Sequence, residues 1–354
     1  MINIDLIIGP VEKRERGISS YVDGLCTTIK KYVSIKVITY DPVSYCSKPF
    51  FNLIYYPKII QNKRRPNAIT HITHQGYAYL ASLLNLQPAI VTCHDIIPLI
   101  FYNNIKKLKF RYSISGIKNA DKIIADSYNT KQDIISYFKI PDEKIKVIYL
   151  AADKIFQPLD KVIISKIKQK YNFDFPLILY VGTLEPRKNI PTLIKAFCKL
   201  KKEGLPHILL VTGKKDGKYK KIFEMVKRLN LQKDTIFTGY VPEEDLPAIY
   251  NAADLFVYPS LYEGFGLPPL EAMACGTPVI TSNTSSFPEV VGDAGIMVKP
   301  HDVDELAKVM YEVLTNDGLR EDMIKKGLKQ AKKFSWKKCA KETLEVYQEV
   351  CYEN

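Results

Sequence analysis

The chain has 354 residues, 46% of them hydrophobic and 25% charged, and a net charge of +13. That length exceeds the ~100–200 residues of one domain and the apolar content is enough to fill real cores, which excludes a disordered chain and favours two globular units. The opening MINIDLIIGPVEKRERG carries no basic leader, and no later window approaches ~18 uninterrupted apolar residues, so a cytoplasmic protein without a membrane span is expected.

Short β-branched runs alternate with amphipathic stretches of helical period. In the first half, residues 3–8, 35–40, 52–56, 89–93, 122–127 and 146–151 read as strands. In the second half, residues 177–182, 207–213, 235–241, 255–260, 278–282 and 295–300 do so. Near-continuous apolar runs separated by helices imply parallel sheets covered on both faces, hence two doubly wound α/β units. The break falls near DKIFQPLDKVI, residues 153–163, where Pro158 follows the last strand of the first half. Domains of 1–155 and 156–335 are expected. Beyond residue 301 the chain reads as helical, and Phe334 to Trp336 punctuate a final helix over 336–354.

Seven scattered, widely spaced cysteines fit neither a disulfide framework nor a zinc knuckle and read as reduced core residues. His71 and His74, in HITH, have a spacing that could offer two metal ligands, but no acidic or cysteine partner matches it, so no metal is expected. Residues 1–155 carry 22 Lys and Arg against 12 Asp and Glu, or +10, and the remainder carry 29 against 26, or +3. The basic first half suits an anionic partner, or is simply a solvated lysine-rich surface. Within it, FYNNIKKLKFRYSISGIK (residues 101–118) mixes Lys106, Lys107, Lys109 and Arg111 with Phe101, Tyr102, Phe110 and Tyr112. As a helix it either lies on an anionic membrane surface or turns its aromatics to the core and its lysines to water.

Ligands of open α/β sheets bind beyond the carboxyl ends of the strands. Four loops there stand out. In YVGTLEPRKNIPTLIKAF, Arg187 and Lys188 precede a helix capped around Asn189, with Pro191 in its first turn; two cations and a helix N-terminus make a diphosphate site, against the alternative of a solvated turn. In EGFGLPPLEAMACGTPVI, Glu263 precedes Gly264 and Gly266, which permit φ > 0, and Glu271 falls in the first turn of a helix begun by Pro268 and Pro269. Helix-dipole complementarity explains Glu271 alone, but two carboxylates around one Gly-rich turn suit the vicinal hydroxyls of a ribose and a sugar ring. In VTCHDIIPLIFY, His94 follows an apolar strand and is either a ligand contact or structural. In GPVEKRERGISSYVDGL, Gly17 and Ser19 open a helix whose amides suit phosphate. Neither G-x-G-x-x-G nor G-x-x-x-x-G-K-[ST] occurs, so a dinucleotide enzyme and a P-loop ATPase find no support.

Together these stretches resemble the retaining glycosyltransferases of family 4. EGFGLPPLEAMACGTPVI matches the family's E-x7-E motif, Glu263 to Glu271, and GTLEPRKN, FTGYVPEEDLPAIYNAADLFVYPS and SSFPEVVGDAGIMVKP match its flanking blocks in order. The likeness is dense over 176–335 and thinner over the first half, where it rests on RGISSYV, HDIIPLIF and IIADS.

The resemblance implies the GT-B fold: two Rossmann-like domains facing a cleft, the second holding a nucleotide-sugar donor, the first a glycan or lipid-linked acceptor, with the final helix crossing back to the first. Carried over by position, Arg187 and Lys188 hold the diphosphate and stabilise the leaving nucleotide. Glu271 binds ribose hydroxyls. Glu263 contacts the donor sugar near its 3-hydroxyl, helped by backbone amides of Gly264, Phe265, Gly266 and Leu267, and His94 faces the 6-hydroxyl from the opposite domain. Tyr240 and Val241 border the base. The family retains anomeric configuration without a clear protein nucleophile, and neither a divalent metal nor any other cofactor is implied. Where the family often has paired glycines, Arg16 precedes Gly17. GTLEPRKN and HDIIPLIF are similar to mannosyltransferase-like members, which makes GDP-mannose the first reading of the donor and a UDP-hexose the second. No recognition helix, RNP-type motif or zinc spacing supports a nucleic-acid partner, and the intact Glu263, Glu271, Arg187, Lys188 and His94 argue against a silent relative.

Overall fold

Apolar strands of a parallel sheet must be buried on both faces, so each sheet forms the middle layer of its unit. In the computed structural model, which describes residues 1–9, 16–39, 55–103, 105–214 and 220–353, the chain forms two compact units. Met1–Leu150 with Ser335–Asn354 makes one and Ala151–Phe334 the other.

In the first unit β1 (Ile2–Ile7), β2 (Val33–Ile38), β3 (Ile69–Ile72), β4 (Ala89–Cys93), β5 (Lys122–Ala125) and β6 (Ile145–Val147) form one parallel sheet in the order β2-β1-β3-β4-β5-β6. The strand expected at 52–56 falls mostly outside the described residues, and its described end is helical. Residues 52–54 lie outside the described residues, and Tyr56 begins the helix Tyr56–Lys63, with Pro57 in its first turn. Proline has no N–H for a central ladder, and its fixed φ suits helix entry. The strand of that region is β3, whose Thr70 and His71 broke up the apolar run in the sequence. Both are fully buried because both find partners: Thr70 Oγ1 accepts from Arg64 Nε at 3.0 Å, and His71 joins a buried network.

That network secures the last helix, Trp336–Glu353, to its unit. His71 Nδ1 meets Tyr347 Oη at 2.7 Å, His71 Nε2 meets Thr92 Oγ1 at 2.8 Å, and Thr92 Oγ1 meets Tyr21 Oη at 2.9 Å. Nearby, the Trp336 ring lies so close to the helix Arg16–Ile29 that a Cβ on Gly24 would stand 2.3 Å from it.

The second unit repeats the design. β7 (Leu177–Val181), β8 (Ile208–Thr212), β9 (Thr235–Gly239), β10 (Leu255–Tyr258), β11 (Val279–Ser282) and β12 (Ile296–Val298) are parallel, in the order β12-β11-β10-β7-β8-β9. All six match runs read from the sequence. The strand order reverses between β7 and β10, the topological switch point at which doubly wound sheets open a crevice. Just past β7 and β8 the backbones of Gly182 and Gly213 touch. A Cβ on Gly213, whose φ is +146°, would sit 2.0 Å from the Gly182 carbonyl oxygen, so only glycine fits.

Candidate active site

The chain leaving β7 makes a 3₁₀ turn, Pro186–Lys188, and enters the helix Ile190–Lys202 through Asn189, which is held in the left-handed region at φ 55°. Asn189 does not cap this helix with its side chain. Its amide instead donates to the carbonyls of Pro259 and Pro300 and accepts from Thr192 Oγ1 at 2.8 Å. This ties the turn after β7 to the strand end of β10 and aims Arg187 and Lys188 at one place.

That place is Glu263. Its Oε1 receives Lys188 Nζ at 2.7 Å, Arg187 Nη1 at 2.8 Å and Ser260 Oγ at 2.6 Å. Lys188 Nζ also donates to Tyr258 Oη at 2.6 Å, and Arg187 Nη1 to the Tyr262 carbonyl at 2.7 Å. Lys188 and Glu263 are each only 9% exposed. Burial alone would raise the Glu263 carboxyl, but the two cations and the Lys188 and Ser260 hydrogen bonds hold it at about 2. Burial outweighs the same carboxylate at Lys188, whose ammonium is pushed below its ordinary value. The Arg187 guanidinium is raised despite burial, chiefly by Glu263. Glu263 Oε2 has no hydrogen-bond partner among the described residues, and Arg187 Nε is buried without one. Two acceptor and donor positions are therefore unspent at the switch point.

Two serines pin the loop that follows. Glu263 N–H donates to Ser285 Oγ at 3.0 Å, and Ser286 Oγ donates to the carbonyls of Glu263 and Phe265. Gly266 has φ 111° and leads into the helix Leu267–Ala274 with Pro268 and Pro269 in its first turn, as expected; Gly264 is not in the left-handed region. Glu271 lies one turn further along than expected. It is the fifth residue of that helix, buried, and accepts from Tyr250 Oη at 3.0 Å, so it does not complement the helix N-terminus. Beyond β9, Val241 is buried while Tyr240 is 65% exposed, with Lys214 Nζ 5.3 Å from its ring centroid. Ser260, Tyr258, Ser285, Ser286 and Tyr250 were not singled out in the sequence, although all lie within its quoted blocks. Their roles depend on side-chain direction, which spacing does not carry.

In the first unit the strand order reverses between β1 and β3. Gly17 stands in the first turn of the helix Arg16–Ile29, but residues 10–15 and the Arg16 side chain lie outside the described residues. His94 follows β4 with both ring nitrogens engaged: Nδ1 meets Asp126 Oδ2 at 2.6 Å and Nε2 meets the Thr73 carbonyl at 3.0 Å. Both partners accept, so both nitrogens carry protons. Burial opposes that charge, yet Asp126 raises the imidazole above its ordinary value. His74, at the end of β3, is the opposite case. Its Nδ1 accepts the Gly76 N–H at 2.9 Å, and burial lowers it to about 3, so it is neutral with its proton on Nε2. Burial likewise holds His71 neutral, at about 3.

The pattern of the family described as Glycosyl transferases group 1 matches residues 163–330, and that of Glycosyltransferase Family 4 matches residues 16–154. The O-antigen chain mannosyltransferase B of Escherichia coli is 38% identical over 283 residues, 78% of this chain and 74% of that protein. The serotype-specific mannosyltransferase WbdA of Escherichia coli is 36% identical over 70% of this chain, which spans only 32% of WbdA. Among solved structures, sucrose-phosphate synthase from Thermosynechococcus elongatus superposes with a TM-score of 0.82 at 20% identity, covering 100% of both chains. Anabaena HepE in complex with UDP and glucose does so with a TM-score of 0.80 at 19% identity, covering 99% of this chain and 100% of that one. At such identities the superpositions establish fold alone. The chain belongs to glycosyltransferase family 4, has the GT-B fold and is a glycosyltransferase.

Proposed function

We propose that this enzyme transfers mannose from GDP-mannose, with retention of anomeric configuration, to a glycan or lipid-linked acceptor. The second unit binds the donor and the first the acceptor. The observation that carries this reading is the convergence of Arg187 and Lys188 on Glu263 at the β7/β10 switch point, with Arg187 Nε and Glu263 Oε2 unspent. The cations take the diphosphate and stabilise charge on the departing nucleotide. Glu263 Oε2 accepts from a hydroxyl of the sugar, with the amides of Gly264 to Leu267 fixing the ring. Glu271, oriented by Tyr250, accepts from the ribose hydroxyls, and Tyr240 and Val241 border the base. His94, saturated by Asp126 and Thr73, acts as a fixed positive charge. The ring N–H left to meet a hydroxyl at the first unit's strand ends is that of His74 Nε2. Gly17 lends a backbone amide there.

The names of the O-antigen mannosyltransferases support mannose, and a UDP-hexose is the second reading. Because two side-chain cations serve the leaving group, transfer proceeds in excess chelator. Thermal shift against GDP, UDP and ADP, each with and without its sugar, tests the donor: at 100 times its Kd a ligand stabilises by about 2.7 kcal/mol. A shift with GDP and GDP-mannose is expected. A shift with UDP alone moves the assignment to the second reading, and none with any nucleotide overturns it.

A further inference from the structure

A tyrosine in a doubly covered strand needs a partner for its hydroxyl, since a polar group buried alone costs free energy. Two such tyrosines stand side by side in the second sheet. Tyr180 of β7 and Tyr258 of β10 are fully buried and stacked, with ring centroids 5.6 Å apart and planes 20° from parallel. Tyr180 Oη donates to the Thr183 carbonyl at 3.3 Å, a contact that ends in the backbone. Tyr258 Oη instead accepts from Lys188 Nζ at 2.6 Å, a contact that ends in the candidate active site. Phe256 stacks on the Tyr258 ring at 5.7 Å and Phe287 meets it edge-on at 5.9 Å, so the ring is clamped by close packing.

An ammonium carries three N–H donors in tetrahedral directions and no acceptor. Lys188 gives one to Glu263 Oε1 at 2.7 Å and one to Tyr258 Oη, and the third has no partner among the described residues. A cation held by Glu263 alone could still turn about that one hydrogen bond. With two directions fixed, one by a clamped ring and one by a carboxylate that also holds Arg187 and Ser260, the third N–H has a single direction left. Arg187 needs no such guide, because its guanidinium is planar and its Nη1 is held by the Tyr262 carbonyl as well as by Glu263.

We propose that Tyr258 is a positioning residue for the transfer reaction, aiming the third N–H of Lys188 at the phosphate oxygen on which negative charge grows as the nucleotide departs. The role depends on the donor-site reading, in which Lys188 meets the diphosphate. Tyr258 itself is buried and touches no donor; it acts through Lys188. An aimed N–H is worth most where the charge it meets is largest. The terminal phosphate of a nucleotide-sugar is esterified, whereas in the free nucleoside diphosphate it is released and carries about −1.5 to −2. Tyr258 therefore serves the departing nucleotide more than the bound donor.

Calorimetry of Y258F tests this without an acceptor, with GDP against GDP-mannose and UDP against UDP-glucose as ligands. Phenylalanine keeps the ring stack and removes only the hydroxyl. Y258F is expected to bind the free nucleoside diphosphate about tenfold more weakly than the wild type, and the nucleotide-sugar to within about twofold of it. In a K188M background Y258F should change neither affinity by more than about twofold, because the N–H it aims is gone. A structural loosening would weaken both ligands alike and would persist without Lys188. Either of those results overturns the proposal, as does undiminished binding of the free nucleotide by Y258F. K188M reads the donor site by itself: if it binds both ligands as the wild type does, Lys188 does not meet the diphosphate, and the donor-site reading falls together with the role of Tyr258. If K188M weakens binding and Y258F does not, only the role of Tyr258 falls.

Discussion

The Lys188 ammonium and the Glu263 carboxylate meet at 2.7 Å in a nearly dry site, and the oxygen they share also takes the Arg187 guanidinium at 2.8 Å. One internal anion thus neutralises two cations at the switch point of the second sheet. This has consequences for stability and for ligand affinity that can be measured separately.

Breaking a buried pair strands the surviving charge, which costs about 3–5 kcal/mol. K188M and E263Q are each expected to lower stability on that scale. The double variant should lose less than the sum, by at least about 1 kcal/mol of coupling. Urea unfolding of the four proteins checks it; strict additivity would mean that the pair does not act as one.

Glu263 competes with any diphosphate for Arg187 and Lys188. E263Q should therefore bind free GDP or UDP more tightly, by roughly tenfold, through release of the cations. Transfer by the same variant should fall, since its Oε2 no longer accepts from the sugar as an anion. Calorimetry and a transfer assay separate the two effects. Weaker nucleotide binding by E263Q would show that the carboxylate orients the cations rather than competing with the ligand.

The buried histidines set opposite pH slopes. His71 stays neutral down to about 3 while its unfolded counterpart protonates near the ordinary value of 6.5, so its contribution is complete above 6.5 and is lost as pH falls towards 3. His94 has a raised folded value, so its contribution is complete below 6.5 and is lost as pH rises through that higher value. D126N should flatten the alkaline side of the stability profile and leave the acid side in place. Melting curves of the wild type and D126N from pH 5 to 9 decide it, and parallel alkaline slopes would count against a charged His94.

Tyr347 links the last helix to β3 through His71. Y347F removes one hydroxyl and leaves His71 Nδ1 buried without its partner, at about 1–3 kcal/mol. Hydrogen exchange should show the helix Trp336–Glu353 opening more readily while the second unit is unchanged. Uniform protection across the helix would mean that Trp336 over Gly24 suffices to hold it.

Most of the architecture was legible in the residues because its signals are local. Continuous apolar runs such as Leu177–Val181 and Leu255–Tyr258 read as doubly covered strands, and Pro268 and Pro269 after Gly266 suit the first turn of a helix. β3 escaped detection because Thr70 and His71 are buried by partners, Arg64, Thr92 and Tyr347, of which the last is 276 residues from His71. Tyr55 and Tyr56 looked like strand because β-propensity describes a half-buried surface, and Pro57 overrode it.

The sequence by itself determined the two parallel sheets of the fold, the E-x7-E spacing of Glu263 and Glu271, and the presence of Arg187 and Lys188 after a strand. Only the tertiary structure decided how those charges are used. It brought both cations onto one oxygen of Glu263, moved Glu271 into the second helical turn under Tyr250, filled both nitrogens of His94, and left Ile105 and Leu108 exposed. The reason is physical. Strand and helix follow from torsional preference and apolar period within a few residues, whereas the protonation, pairing and exposure of a side chain depend on atoms that chain topology brings from far along the sequence.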